Sequence, residues 1–409
     1  MKRNSTDILR VCLLSTCAYL PVMAHADFLD DSSIQLDLKN FYLDRDYSGT
    51  TSDVSSWSQG ADLQFFSGYT DTALQFGFDA SAQGAITLDS EGNDGTLPYD
   101  TTTSEAQDDY GRVGATFKMK YSKTKLTVGD HRPHLPIAWD DTSRQLDTIY
   151  QGAVIQTDEI DGLSLTGGHF WSAVTRNSEK KEDFYLWGGD GQERSDGLSF
   201  AGGTYDVTKS LAATYFYAEL KDIYTQQYAG LKHRAELGGD YRLTTDIRYF
   251  DNSDNGDDLY GKVDGSAFGT MFTLNKSNHM FALSYQSMNS DSFFPTMNGY
   301  IPQPYLVHWS SLAFVRPDEK SYGVRYGYNF KDFDLPGLDL FARYIYGNDI
   351  NVGSDSNANE IERDIYVSYT IQEGSLQGLK FDLRNIHVNK SFSDGYDEYR
   401  FITTYTFKS

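Results

Sequence analysis

The sequence predicts an all-β fold: a transmembrane antiparallel β-barrel of about 18 strands whose long loops fold inward. Three observations carry that reading. From Ser33 to Phe407 the chain is a series of roughly ten-residue segments in which apolar and polar side chains alternate. Tyr, Phe and Gly are abundant (30, 25 and 36 residues) and Pro is scarce at 9, which favours strands and turns. No apolar run beyond the N-terminus approaches the roughly 18 residues a spanning helix needs.

The N-terminus has the form of an export signal. Lys2, Arg3 and Arg10 precede the apolar stretch Val11 to Leu20, and Ala24-His25-Ala26 is a small-x-small cleavage site. Residues 1–26 are therefore expected to be a cleaved signal peptide, and 27–409 a single barrel domain. Leu14-Ser15-Thr16-Cys17 is a weaker competitor, a lipoprotein box with a poor residue before its cysteine. Both cysteines, Cys12 and Cys17, fall in this segment. The remainder has no disulfide framework, thiol nucleophile or Cys metal site.

In order, the expected strands are Ser33 to Arg45, Gln59 to Thr70, Ala73 to Ile86, Tyr110 to Tyr121, Lys125 to Arg132 and Thr148 to Thr157. They continue with Leu163 to Ala173, Gly197 to Tyr205, Ser210 to Lys221, Gln226 to Leu237, Asp240 to Asp251 and Val263 to Leu274. The last six are His279 to Met288, Ser321 to Lys331, Leu338 to Gly347, Ile361 to Gln372, Leu379 to Lys390 and Asp397 to Phe407. Short turns alternate with longer loops. The turns are expected at the periplasmic rim and the loops at the exterior. A sheet in hydrocarbon must close, because an open edge leaves backbone groups unpaired. At this strand number the enclosed lumen has room for water.

Cations recur on the polar faces of the strands. Lys39 and Arg45 share one face, as do Arg112, Lys118 and Lys120; Arg242 and Arg248 share theirs with Asp246. Arg325, Arg343, Arg384 and Arg400 each oppose aromatic or aliphatic neighbours. In a chain of net charge −23, the expected arrangement is cations on the lumen wall and carboxylates mostly in loops. A lumen lined with Arg and Lys favours anionic groups. The plainer alternative is that these cations pair with lumen carboxylates. The loop from Gly129 to Gly152 is distinctive, with Pro133 and Pro136 as stiffeners and Arg132, Asp140, Asp141 and Arg144 as charged residues. It is expected to fold into the lumen. A second long, Pro-containing loop runs from Asn289 to Lys320, and Val174 to Asp196 reads as a long polar loop.

Other chemistries find little support. Strong acidity argues against nucleic acid as a partner. The 8 histidines are scattered without metal-ligand spacing, and His169 near Ser172 and His308 near Ser310 are pairs that chance supplies in a Ser-rich chain, so neither enzyme activity, a metal site nor a cofactor is expected. Asp251 to Gly256 imitates the start of a calcium loop. Its twelfth position is Lys262, however, and no helices flank it, so it reads as a solvated turn.

Several pieces, in order and spacing, resemble the OprD-type substrate-specific porins of Gram-negative outer membranes. They include FLDDSSIQLDLKNFYLDRDY (Phe28 to Tyr47), GRVGATFKMKYSKTKLTVGDHRPHLPI (Gly111 to Ile137), DTSRQLDTIYQG (Asp141 to Gly152) and PYLVH (Pro304 to His308, with Tyr305). ERDIYVSYTIQEGSLQGLKFDLRN (Glu362 to Asn385) and EYRFITTY (Glu398 to Tyr405) extend the likeness to the C-terminal end. The resemblance implies an 18-stranded barrel narrowed by inward loops, passing small solutes that carry a carboxylate along a basic ladder. By position it matches Arg45, Arg144, Arg384 and Arg400 to ladder or eyelet arginines. Lys39 stands where Arg is usual, and Asp382 and Ser368 replace residues that are basic in some relatives.

The expected activity is passive uptake of small anionic or zwitterionic solutes: amino acids, organic acids or aromatic acids. The rivals are an oligosaccharide channel of chitoporin type, which wants an aromatic track in the lumen, and an adhesive or structural barrel with a plugged lumen. Expected partners are outer-membrane lipid and lipopolysaccharide and the barrel-assembly machinery, with the barrel a monomer or weak homotrimer.

Overall fold

The structure, a computed structural model, describes residues 27–188, 193–298, 301, 303–353 and 355–409. The expected signal peptide lies outside the described residues. One helical turn, Asp27–Asp30, leads into the sheet.

Eighteen antiparallel strands form one closed sheet. They are β1 Ser33–Tyr47, β2 Val54–Phe66, β3 Gln75–Glu91, β4 Asp109–Tyr121, β5 Thr124–His131 and β6 Ile149–Ile160. Next come β7 Leu163–Val174, β8 Leu198–Asp206, β9 Leu211–Leu220, β10 Tyr224–Gly238, β11 Tyr241–Asp254 and β12 Gly265–Lys276. The sheet ends with β13 His279–Ser290, β14 Lys320–Asn329, β15 Leu338–Val352, β16 Asp355–Thr370, β17 Lys380–Lys390 and β18 Tyr396–Lys408. Each strand pairs with the next, and β1 pairs with β18 from Gln35↔Lys408 to Tyr47↔Tyr396, so no edge remains.

Alternation sorts the side chains. Val113, Phe117, Phe272 and Leu283 point outward and are exposed, as a hydrocarbon-facing surface requires. Register partners share a face, so Arg112, Gln83, Asp62 and Lys39 all point into the lumen. At one rim the connections are as short as 122–123, 161–162, 239–240 and 277–278. At the other rim lie the loops L2 (92–108), L3 (132–148), L4 (175–197) and L7 (291–319). That rim is not uniformly long-looped, because β9 and β10 are joined by 221–223 alone. β2, β3, β15 and β16 run further toward this rim than expected. Their outer ends are rich in Ser, Asp and Asn, so they lack the apolar alternation that marks a strand in sequence.

Gly129 fits a close approach. Its φ is 134°, and a Cβ there would lie 2.1 Å from the carbonyl oxygen of Ala115 on β4. L3 leaves the wall three residues later.

Candidate functional site

L3 turns into the lumen through a small hairpin, His134–Leu135 against Ala138–Trp139, flanked by Pro133 and Pro136. Its tip residues Ile137 and Ala138 are fully buried, packed with Phe184 and Leu186 of L4 and with Phe294 and Met297 of L7. Leu186 also bridges to Met297 through the backbone. Three loops therefore share one apolar core inside the barrel. L4 reads in sequence as a long polar loop, yet its short apolar cluster, Phe184 to Trp187, hidden among charges, supplies part of this core.

A buried ionic node ties L2, L3 and L4 together. Arg176 of L4 donates to Asp141 Oδ2 at 2.6 Å, to Ser143 Oγ at 3.1 Å and to the Gly95 carbonyl of L2 at 3.0 Å. Asp141 is 1% exposed. Burial alone would raise its carboxyl, but Arg176 and Ser143 hold it below the ordinary carboxylate range. Asp140 lies 2.9 Å from His134, and burial pushes its carboxyl up. Both acids thus brace L3 itself.

Arg144, 7% exposed, donates to Ser143, while its own carbonyl accepts from Lys39 at 2.9 Å. Burial, then Arg400 and Arg176, push its guanidinium down. Arg132 is set 2.6 Å from Asp62 and 3.2 Å from Asp147. Arg112 donates to Gln83 at 2.6 Å and to the carbonyls of Thr175, Ser178 and Asp147. It is a strut between the wall and the roots of L3 and L4.

The remaining expected cations all reach the lumen face, yet most are neutralised there. Arg45 and Arg400 share Glu398, each at 2.5 Å. Arg343 binds Asp364 and lies 3.4 Å from Glu362; Arg384 binds Asp382 at 2.8 Å. Lys118 binds Asp79 at 2.6 Å, and Lys39 lies 3.5 Å from Asp147. Arg242 pairs with Glu236 near the short-turn rim, where Lys120 also sits, over the Tyr69 ring. Arg325 donates to the Val307 carbonyl of L7. The expectation of carboxylates mostly in loops gives way to the plainer alternative for most of these cations: the wall interleaves both signs. The signal was in the sequence, since Asp382 and Arg384, like Glu398 and Arg400, are two residues apart and so share a face.

The second long loop contributes unequally. His308 is buried, held between Ser284 Oγ at 2.8 Å and Ser321 Oγ at 2.7 Å. The slot exists because β14 has glycine at 323, where a Cβ would lie 2.8 Å from the ring. Burial, then Arg325 and Arg343, lower its pKa to about 3. It is a neutral latch for L7 and does not line the pore.

Glu319, at the root of L7, has its pKa pushed up to about 9 by burial and then by Glu360, with Arg316 opposing. Its carboxyl is protonated in the seated loop and ionised once the loop is freed. The stabilisation is complete below the free value of 4.5 and is lost as pH rises through about 9. Current noise from L7 is expected to grow between pH 7 and pH 10 in planar bilayers, and Glu319→Gln is expected to flatten that dependence. Glu360, Arg316 and Lys390 are the other charged groups around this root.

Toward the short-turn rim two recesses open beneath the loops. The first, of about 540 Å³, is lined by Lys125, Arg132, His131, Asp79 and Asp130 with Leu135. The second, of about 290 Å³, holds Arg248, Lys232 and Asp246 beside Trp139, Tyr228 and Tyr305. The Tyr305 ring lies 5.2 Å from Tyr228 and 5.9 Å from Trp139, and the Arg248 guanidinium 5.6 Å from the Tyr305 ring centre. Arg248 donates to the carbonyls of Pro304 and Tyr305, each at 3.1 Å, and lies 3.6 Å from Asp246. Aromatic residues thus do enter the lumen. Most of them are packed under the loops and do not form an open track.

A closed barrel with a hydrocarbon-facing exterior and a charged, loop-narrowed interior defines a porin of the Gram-negative outer membrane. Residues 26–409 match the model of the outer membrane porin, OprD family, and the chain belongs to that family. It is 33% identical over 398 residues to the porin-like protein GalP of Pseudomonas putida, covering 95% of each chain. Among solved structures, OpdL of Pseudomonas aeruginosa is 39% identical with a TM-score of 0.85, over 93% of this chain and 99% of that one. OpdK of the same organism, solved with vanillate, is 30% identical with a TM-score of 0.89, over 93% and 100%. These relatives are channels, not enzymes.

Proposed function

We propose that the channel takes up small carboxylate-bearing solutes by passive diffusion, and that aromatic acids are its preferred class among them. The recess formed by Arg248, Trp139, Tyr228 and Tyr305 carries this reading. A guanidinium supplies donors for a carboxylate, and the flanking rings supply flat apolar area for an aromatic body. Asp246 and Lys232 sit at its border and limit residence, since a solute must also leave. Relatives of this chain include one solved with vanillate, an aromatic acid.

The test is block of chloride current by added acids. Benzoate is expected to block at lower concentration than acetate. A hydrogen bond to a charged group is worth about 1.5–3 kcal/mol, so Arg248→Ala is expected to raise the blocking concentration of benzoate about tenfold or more. Tyr305→Ala is expected to remove the preference for benzoate over acetate while sparing block by acetate. Equal block by both acids in the unmodified channel would rule out the aromatic preference.

A further inference from the structure

We propose that the outer wall of the barrel carries a specific site for the lipid A part of lipopolysaccharide, a phosphorylated, multiply acylated glycolipid of the outer leaflet. The site centres on Arg363 of β16. Glu362 and Asp364 on either side point into the lumen and are fully buried, so Arg363 points to the lipid. A cation there is costly unless something answers it.

Arg363 Nη2 donates to Asn385 Oδ1 on β17. Beyond that contact, Arg363 Nε and Asn385 Nδ2 are both buried without a hydrogen-bond partner. Among the described residues no carboxylate forms a salt bridge with this guanidinium. The neighbouring acid, Asp397, is engaged by His387 Nδ1 at 2.9 Å. Those two donors are covered by protein, but Arg363 as a whole is only half-buried and lines the outward groove beside it, on a surface that excludes water. A guanidinium left there without a carboxylate is best answered from outside by an acceptor with no proton to offer, and a phosphate matches it in charge and geometry.

Beside Arg363 lies an outward groove of about 620 Å³, lined chiefly by Phe272, Leu274, Phe281, Leu283, Val324 and Tyr344. The groove crosses from β16 to β11. Following register partners from Arg363 leads through Tyr344, Val324, Leu283 and Phe272. The groove ends at Leu243 and Leu274, next to the short-turn ends of β11 and β12. In the other direction the same row climbs through His387 and Asp397 to Asp46, at the loop-side ends of their strands. The donors therefore sit nearer the exterior and the apolar floor descends toward the periplasm. That is the orientation of an outer-leaflet lipid, with phosphate up and acyl chains down. Tyr344 and Tyr399, exposed on the same face, flank the head position as interfacial aromatics do.

The experiment is native mass spectrometry of the detergent-purified barrel incubated with lipid A, with dephosphorylated lipid A, or with phosphatidylethanolamine. The unmodified protein is expected to retain one lipid A and little of the other two. Arg363→Ala and Asn385→Leu are each expected to cut retention at least tenfold, and Arg363→Lys to leave an intermediate level. Lys123→Ala, at the short-turn rim, is expected to change nothing. Unaltered single-channel conductance of the Arg363 and Asn385 variants establishes that they fold. Equal retention of dephosphorylated lipid A, or full retention by Arg363→Ala, would overturn the site. So would a dimer or trimer of the unmodified chain that Arg363→Ala dissolves, because this face would then belong to a second copy.

Discussion

Replacing Arg176 with alanine is expected to widen the pore, raising single-channel conductance severalfold and making the current noisy. Arg176 is the cation that joins L2, L3 and L4, and its partner Asp141 has almost no access to water. Without it Asp141 is a buried carboxylate facing only Ser143 and the burdened Arg144. Removing one member of a buried pair costs about 3–5 kcal/mol, enough to undock L3 from its neighbours. The barrel wall does not depend on this contact, so strand content is expected to persist while the loops loosen. Asp141→Ala is expected to act in the same direction. The double variant is expected to be milder than the sum of the two single changes, because it leaves neither charge stranded. Additive effects would place the node outside the gating contacts.

The second large effect is expected at Glu398, and it changes selectivity. Glu398 is fully buried and neutralises Arg45 and Arg400 together. Glu398→Gln keeps the shape but releases two guanidiniums into the lumen field. The anion-to-cation permeability ratio is expected to rise about tenfold, equivalent to ~1.4 kcal/mol. Part of that rise is expected to disappear in molar salt, where charges are screened within about 3 Å. Arg400→Ala is expected to move the ratio the opposite way. A reversal potential unaltered by Glu398→Gln would mean that permeating ions do not sense this part of the wall.

The two variants address different layers of the channel, and the layers differ in how far they could be read from sequence. Strand number and the identity of L3 follow from local features: two-residue alternation and the pair Pro133 and Pro136. The positions of the lumen cations follow from the same alternation, and all ten expected wall residues lie on that face. Their partners were harder to read. Asp382 beside Arg384 is visible as an i, i+2 pair. Asp364, however, faces Arg343 only because β15 and β16 are in register, and Asp147 reaches Lys39 only because L3 folds back.

The apolar cluster of L4 was hard to read for a related reason. Phe184 and Leu186 find their partners in L3 and L7, far away in the chain, so no local periodicity marks them as core. The aromatic recess likewise assembles Trp139, Tyr228 and Tyr305 from two loops and a strand. Arg363 sits in a segment that looks like ordinary alternation, and only its outward place beside the apolar groove, with no carboxylate bridge among the described residues, singles it out.

The proposed preference for carboxylates rests on the recess at Arg248, Tyr228, Trp139 and Tyr305. The most direct test is the reversal potential of the unmodified channel across a tenfold gradient of potassium benzoate. The account predicts the sign of benzoate permeation, diminished by Arg248→Ala. A potential with the sign of potassium permeation, indifferent to that substitution, would contradict it.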